Sequence, residues 1–199
     1  MDEPGERTVS LVPSPEEMVD MIQAVAHQSW PSTPDQYDHY FRRVGCELDP
    51  AENTHDPGDP GNSGDPSDPD EDVDGVTRGV FTIPGAGTEA ASWAARNGAL
   101  FSLSFLAYRG RHATPLLVAA GYDSVRAGLI ALYGPSPDEQ EDQHGNRLAI
   151  WAANETSIEL YAHLNEAPAL QLGLSHQKRN TAYEQCVAHD AKKIQPHHR

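Results

Sequence analysis

Ten histidines, two cysteines and thirty carboxylates are the residues of this chain with chemistry to offer. The histidines stand at 27, 39, 55, 112, 144, 163, 176, 189, 197 and 198. None belongs to an H-E-x-x-H pair, and none lies at zinc-finger spacing from a cysteine, so three or four convergent metal ligands have no motif to rest on. His163 and His176 fall on neighbouring strand patterns but at positions of opposite parity, which sends them to opposite faces. Asp70-Glu71-Asp72-Val73-Asp74-Gly75 imitates the opening of a calcium loop. The twelfth position of such a loop needs a bidentate acid, and here it is Phe81. The expectation is weak, nonspecific divalent binding at most, with no metal centre and no cofactor.

Nucleophilic catalysis fares no better. Cys46 and Cys186 are far apart, with no C-x-x-C and no local activating motif, and they read as free thiols packed as small hydrophobes in a reducing compartment. A bridge between them stays open, because sequence gives no geometry. No G-x-S-x-G elbow occurs, and Ser175 and His176, adjacent on a strand, point apart. Asp138 and Glu141 sit in a polar stretch where nothing would raise a carboxyl pKa for acid catalysis. The turns at 84–87 and 133–136 lack the lysine and spacing of a phosphate-binding loop. These residues predict no catalytic site, and the reading turns to binding.

Charge points the same way. The net charge of −16 falls to −6 when the ten acids between Asp49 and Asp74 are set aside. That tract contains no Lys or Arg. Its balance disfavours nucleic acid and anionic membranes, which are bound through clustered cations, and fits a basic protein partner better. The acidic N-terminus has no apolar core of a secretory signal, and no run approaches ~18 apolar residues, so the expected location is cytoplasmic.

The elements that must position any site follow from patterning. Ser14, Pro15 and Glu17 form a capping box with a first-turn proline, and Met18, Met21, Ile22 and Val25 give the helical stripe that follows. Thr33-Pro34-Asp35-Gln36 repeats the start signal for a second helix carrying Tyr37, Tyr40, Phe41 and Val44, closed by Gly45. Trp30, between them, reads as the core anchor of the junction. A short strand is expected at 46–48. Residues 49–75, with five prolines and almost nothing apolar, are predicted to be a disordered insertion between two elements of one domain.

Strands are then expected at 76–83, 90–95 and 100–108, with Asn97-Gly98 as a hairpin turn. In the last of these, Phe101, Leu103, Phe105 and Ala107 would share one face. A helix from about Asp123 to Tyr133, with Val125, Leu129, Leu132 and Tyr133 as its stripe, precedes a polar loop at 135–146. The clearest alternation in the chain runs from 147 to 176 and predicts a three-strand meander. Ile158, Leu160, Ala162 and Leu164, with Leu170, Leu172, Leu174 and His176, face one way; Gln171, Gly173 and Ser175 face the other. Thr181 to Glu184 reads as a capping box opening a last helix to about Lys193. The predicted fold is α+β: antiparallel strands with helices on one face, in the order ααβ, insertion, βββ, α, βββ, α. One domain spans 13–195, between flexible tails at 1–12 and 196–199, and a duplicated β3α unit is an open alternative.

The candidate partner-binding residues are Trp151, Glu159, Tyr161 and His163 on the outward face of the meander, beside Asp138, Glu139, Glu141 and Asp142 in the acidic loop. Aromatics among carboxylates suit an interface for a basic protein. The alternative, that a helix of the same chain covers Trp151 and Tyr161, stays open.

Two segments also resemble known proteins. HQSWPSTPDQYDHYFRRVGCELD (27–49) resembles one end of a group of small actinobacterial proteins, and the 132–164 segment, a helix ending in Y-G-P before a Trp-bearing strand pair, is similar to their other end. Some members look like immunity partners encoded beside secreted polymorphic toxins. The resemblance covers less than half of the chain and leaves out the Asp-Pro insertion. It implies an acidic, cytoplasmic, non-enzymatic protein that neutralises a basic toxin. A secretion-associated chaperone and an enzyme of unrecognised type are the alternatives.

Overall fold

The alternation that marks the meander places it inside a continuous eight-stranded antiparallel sheet, seen in a computed structural model that describes residues 11–49, 75–84, 91–110 and 113–194. The expected tails at 1–12 and 196–199 lie outside the described residues except for Leu11 and Val12, as does the acidic insertion except for Asp49 and Gly75. The elements are α1 (Pro15–His27), α2 (Tyr37–Arg43, entered through a 3-10 turn at Pro34–Gln36), β1 (Glu47–Leu48), β2 (Val76–Thr82), β3 (Ala91–Arg96), β4 (Ala99–Ala107), α3 (Pro115–Tyr133), β5 (Asp138–Glu141), β6 (Arg147–Ala153), β7 (Thr156–His163), β8 (Ala169–His176) and α4 (Gln177–Ile194). Across the sheet the order is β1-β2-β3-β4-β8-β7-β6-β5. The fold is α+β.

Local signals place several elements where the sequence predicts them. Ser14 caps α1, accepting from the Glu17 amide while the Glu17 carboxylate accepts from the Ser14 amide. Asn97 and Gly98 both take left-handed angles (φ 51° and 76°), the geometry of a two-residue hairpin between β3 and β4. Ile158, Leu160, Ala162, Leu170, Leu172 and Leu174 form the core face of the meander. Trp30 anchors the helix junction: it is buried, its Nε1 donates to Thr156 Oγ1 at 2.9 Å, and its ring meets those of Tyr40 and His176.

Other expectations are corrected. Helix α3 begins at Pro115, eight residues before the expected start, because Thr114 caps it by accepting from the Leu117 amide. Leu132 is exposed, and the buried face of α3 is Val118, Gly121, Tyr122, Val125 and Leu129. Thr33 makes no side-chain cap; the Gln36 side chain accepts from the Ser32 amide instead. The polar loop contains a strand, β5, paired with β6 as the edge of the sheet. All four of its residues are exposed, so neither face calls for apolar alternation, and charged side chains suit an edge strand. Phe101 leaves the predicted core face because the β3–β4 register slips there, pairing Ala94 with Ser102 but Ala95 with Leu100. The slip turns Phe101 outward against Tyr183 of α4, 4.8 Å between ring centroids. Thr181 lies inside α4, which grows directly out of β8: the Gln177 amide donates to Glu155 O, and the Arg179 guanidinium donates to the carbonyls of Pro31, Leu100 and Trp30.

These corrections define two faces. Helices α1, α2 and α3 cover the inner face, with Tyr37 on Trp93 and Phe41 on Phe81 at the β1–β3 end. Helix α3 is long and apolar enough to cross a membrane by length and composition, and its apolar side packs onto this sheet and onto α1. Helix α4 crosses the outer face over β4 and β8, so α4 departs from the expectation that all helices share one face. Two halves of strands-then-helix are present, but α3 and α4 lie on opposite faces.

Candidate functional site

The outer face of β6–β8 beyond α4 is a part of the sheet that no described helix covers. Strand register decides what it displays. Tyr161 stands between Leu148 and Gln171, and Glu159 between Ile150 and Gly173. Leu148, Glu159, Tyr161, His163, Gln171 and Gly173 line an open depression of about 220 Å³. Its floor is set by Gly173: a Cβ there would lie 3.6 Å from Glu159 Cβ and 3.7 Å from Glu159 Oε2. Its wall is aromatic, with the Tyr161 and His163 rings 4.3 Å apart between centroids. His163 Nε2 and Gln171 Oε1 share a hydrogen bond of 2.9 Å, which fixes both side chains.

Glu159 is the charge of the depression. Desolvation by the surrounding sheet and then the nearby Glu184 carboxylate of α4 both raise its pKa, and no described group lowers it. Glu184 is itself held by Asn180, whose Nδ2 donates to it at 2.9 Å. One carboxylate, Glu159, thus lines the concave surface, and a second, Glu184, is close enough to act on it.

The eight residues singled out from the sequence separate into five environments. Glu159, Tyr161 and His163 stand together in the depression. Asp138, paired with Ile150 on β5, is on the same outer face at the sheet edge, accepting from Gln140 Nε2. Trp151, expected outward, lies in the core, because its register partner is the buried Ile158, and its Nε1 donates to Gly134 O at 3.0 Å. Its parity is that of Ala149, opposite to Tyr161 and its partner Leu148.

Glu139 and Glu141 have this inner parity too, and they reach toward α3. The Arg126 guanidinium donates to both oxygens of Glu139 at 2.8 Å. Arg147 donates to Asp123 at 3.1 Å and lies 3.6 Å from Glu141, with its guanidinium 6.0 Å from the Tyr122 ring centroid. This network pins the edge strand to α3, and its carboxylates are already matched by arginines. Asp142 closes the β5–β6 turn, accepting from the amides of His144 and Asn146 and from the Asn146 side chain, which holds its carboxyl below the usual range. Of these four acidic residues, Asp138 alone therefore shares the meander's outer face.

Leu148, Gln171 and Gly173, and the nearby Glu184, are what sequence reasoning missed as a site. The alternation at 170–176 already placed Gln171 and Gly173 on the outer face; the register that sets them beside Tyr161 and Glu159 is a long-range property. Nothing local announces Glu184, which arrives with α4.

Elsewhere, Cys46 is buried with its thiol pushed up to about 12 by desolvation, and Cys186, partly exposed, accepts from Arg96 Nη2 at 3.1 Å; both are free thiols. Among the described residues no three His, Cys, Asp or Glu side chains gather in a way that would hold a metal ion. The lining of the depression offers a carboxylate, a phenol, an imidazole and an amide, but no serine, cysteine or lysine. That set can recognise a cationic, planar or hydrogen-bonding group. Comparison with protein-family models, curated proteins and solved structures finds no match to this chain.

Proposed function

We propose that this chain is a non-enzymatic, cytoplasmic binding protein of the immunity or inhibitor type, which neutralises a basic toxin by docking it on the outer face of β6–β8. The observation that supports this reading is the uncovered strip beside α4, where Tyr161, Leu148 and Ile150 lie beside Glu159 and Glu184. An apolar and aromatic centre with uncompensated carboxylates is the composition of an interface for a cationic protein, and the strong negative charge of the chain steers such a partner toward it. The surface is smaller than the sequence suggests, since Trp151, Glu139, Glu141 and Asp142 do not contribute to it.

The chaperone alternative calls for a contiguous exposed apolar patch. Among the described residues the exposed large hydrophobics are Val12, Leu116, Leu132 and Val187, spread over three segments, and they lend it no support. The test is isolation of the full-length chain from its native host. A stoichiometric basic protein, released as ionic strength rises, is the expected result. Recovery of the chain alone, or with a partner indifferent to salt, would count against the proposal.

A further inference from the structure

We infer that the depression over Gly173 is a recognition pocket for one arginine side chain of a protein partner. This deepens the proposed function and rests on it for the source of the arginine, while the pocket itself is argued from its geometry. An arginine needs a carboxylate to pair with, a flat surface to stack on, and space for a planar group. The pocket supplies Glu159 for the first and the Tyr161 ring for the second, and the missing side chain at Gly173 leaves the third. Gly173 sits mid-strand, a place where glycine weakens a sheet and often marks close approach of another group. Its neighbours in register, Glu159 and Ser104, leave that approach open from the outer face.

Charge complementarity selects the occupant. Glu159 lines the pocket and Glu184 of α4 adds its negative charge nearby, while two neighbouring arginines are engaged elsewhere: Arg179 on the carbonyls of Trp30, Pro31 and Leu100, Arg147 on Asp123. A guanidinium fits better than an ammonium, because it pairs a carboxylate with two parallel hydrogen bonds while lying flat on an aromatic face. The His163–Gln171 pair, joined by its hydrogen bond, forms part of the pocket wall.

The test uses the full chain, with N-acetyl-arginine amide as probe and the lysine and citrulline analogues as controls, followed by backbone and tyrosine NMR shifts. For a probe of this size, dissociation constants of roughly millimolar order are expected, with shifts centred on Gly173, Tyr161 and Glu159. Glu159→Gln and Gly173→Val should each weaken the arginine probe about tenfold, the scale of one lost charge-assisted contact, with the spectrum otherwise retained. Citrulline should not bind, and lysine should bind more weakly than arginine. Shifts elsewhere, binding unaffected by either substitution, or equal binding of the three probes would overturn the inference. The two proposals fail separately. A partner that docks on this face but is insensitive to Glu159→Gln and Gly173→Val sinks the pocket and leaves the function. Arginine binding that persists when no basic partner uses this face sinks the function and leaves the pocket.

Discussion

Gly173 lies opposite Glu159 in the β7–β8 ladder, and a side chain at 173 would meet the Glu159 carboxylate at ordinary contact distance, 3.7 Å from Oε2. The backbone there is not left-handed, and the neighbouring atoms leave room for a methyl group. Glycine in a strand costs stability through the freedom it loses on folding. Gly173→Ala is therefore expected to stabilise the protein by about 0.5–1 kcal/mol, seen as a rise of roughly 1–4 °C in thermal unfolding. A clear drop in melting temperature would show that the strand needs glycine for its own folding.

Glu159 should also be a stability defect. Its folded pKa is raised, so the folded chain holds the proton more tightly than the unfolded one does. That contribution is fully present below pH 4.5, the unperturbed value, and is lost as pH rises through the folded pKa. Glu159→Gln, which keeps the shape and removes the charge, should be the more stable protein at pH 7, by about 0.5 kcal/mol for so exposed a group. Urea unfolding between pH 4 and 8 checks this: the advantage should shrink toward acid pH and in high salt. A variant less stable than the parent at pH 7 would mean Glu159 has a structural partner.

His176 works in the opposite direction. It is buried against Trp30, and burial first, then the Arg179 charge, lowers its pKa from 6.5, with Glu155 at 3.8 Å partly offsetting them. A histidine kept neutral by folding contributes stability above its unperturbed pKa, and that contribution is lost as pH falls below about 6.5 toward the lower folded value. Glu155→Gln removes the nearby carboxylate that eases protonation, so its stability should drop more steeply than the parent's between pH 7 and 5. Parallel pH curves would contradict this.

Trp151 separates core from interface. Only 2 % of it is exposed, and it contacts the sheet core rather than solvent. Trp151→Ala should cost about 3–5 kcal/mol in chemical unfolding. An exposed docking residue would cost far less, and a loss below about 1 kcal/mol would return Trp151 to the surface.

Trp151 also shows where the sequence stops being informative. The alternation of β7 and β8 assigns Leu160 and Leu172 to the core and Tyr161 and Gln171 outward, because an eight-residue amphipathic strand carries its own parity. Strand β6, LAIWAA at its centre, is apolar on both parities, and only its pairing with Ile158 and Leu160 decides that Trp151 faces inward. The bulge at Phe101 and the start of α4 are likewise settled by partners distant in sequence: Tyr183 for the first, and the Pro31 and Leu100 carbonyls around Arg179 for the second. Helix α3 was legible at Thr114-Pro115, the same cap-and-proline signal that marks α1, but the unbroken apolar run after it hides the periodicity that would extend the helix back to it. Of the candidate site, the residues on β7 were legible from alternation. The pocket they form with Leu148, Gln171 and Gly173 was not, since it depends on register.

The central claim, that the outer face of β6–β8 receives a basic protein, is tested most directly by placing a photo-crosslinking amino acid at Tyr161 in one variant and at Ser124, on the exposed side of α3, in another, then irradiating each in the native host. The expected result is a single adduct of the Tyr161 variant with a basic protein, diminished by Glu159→Gln, and none from the Ser124 variant. An adduct from Ser124 and none from Tyr161 would contradict the account.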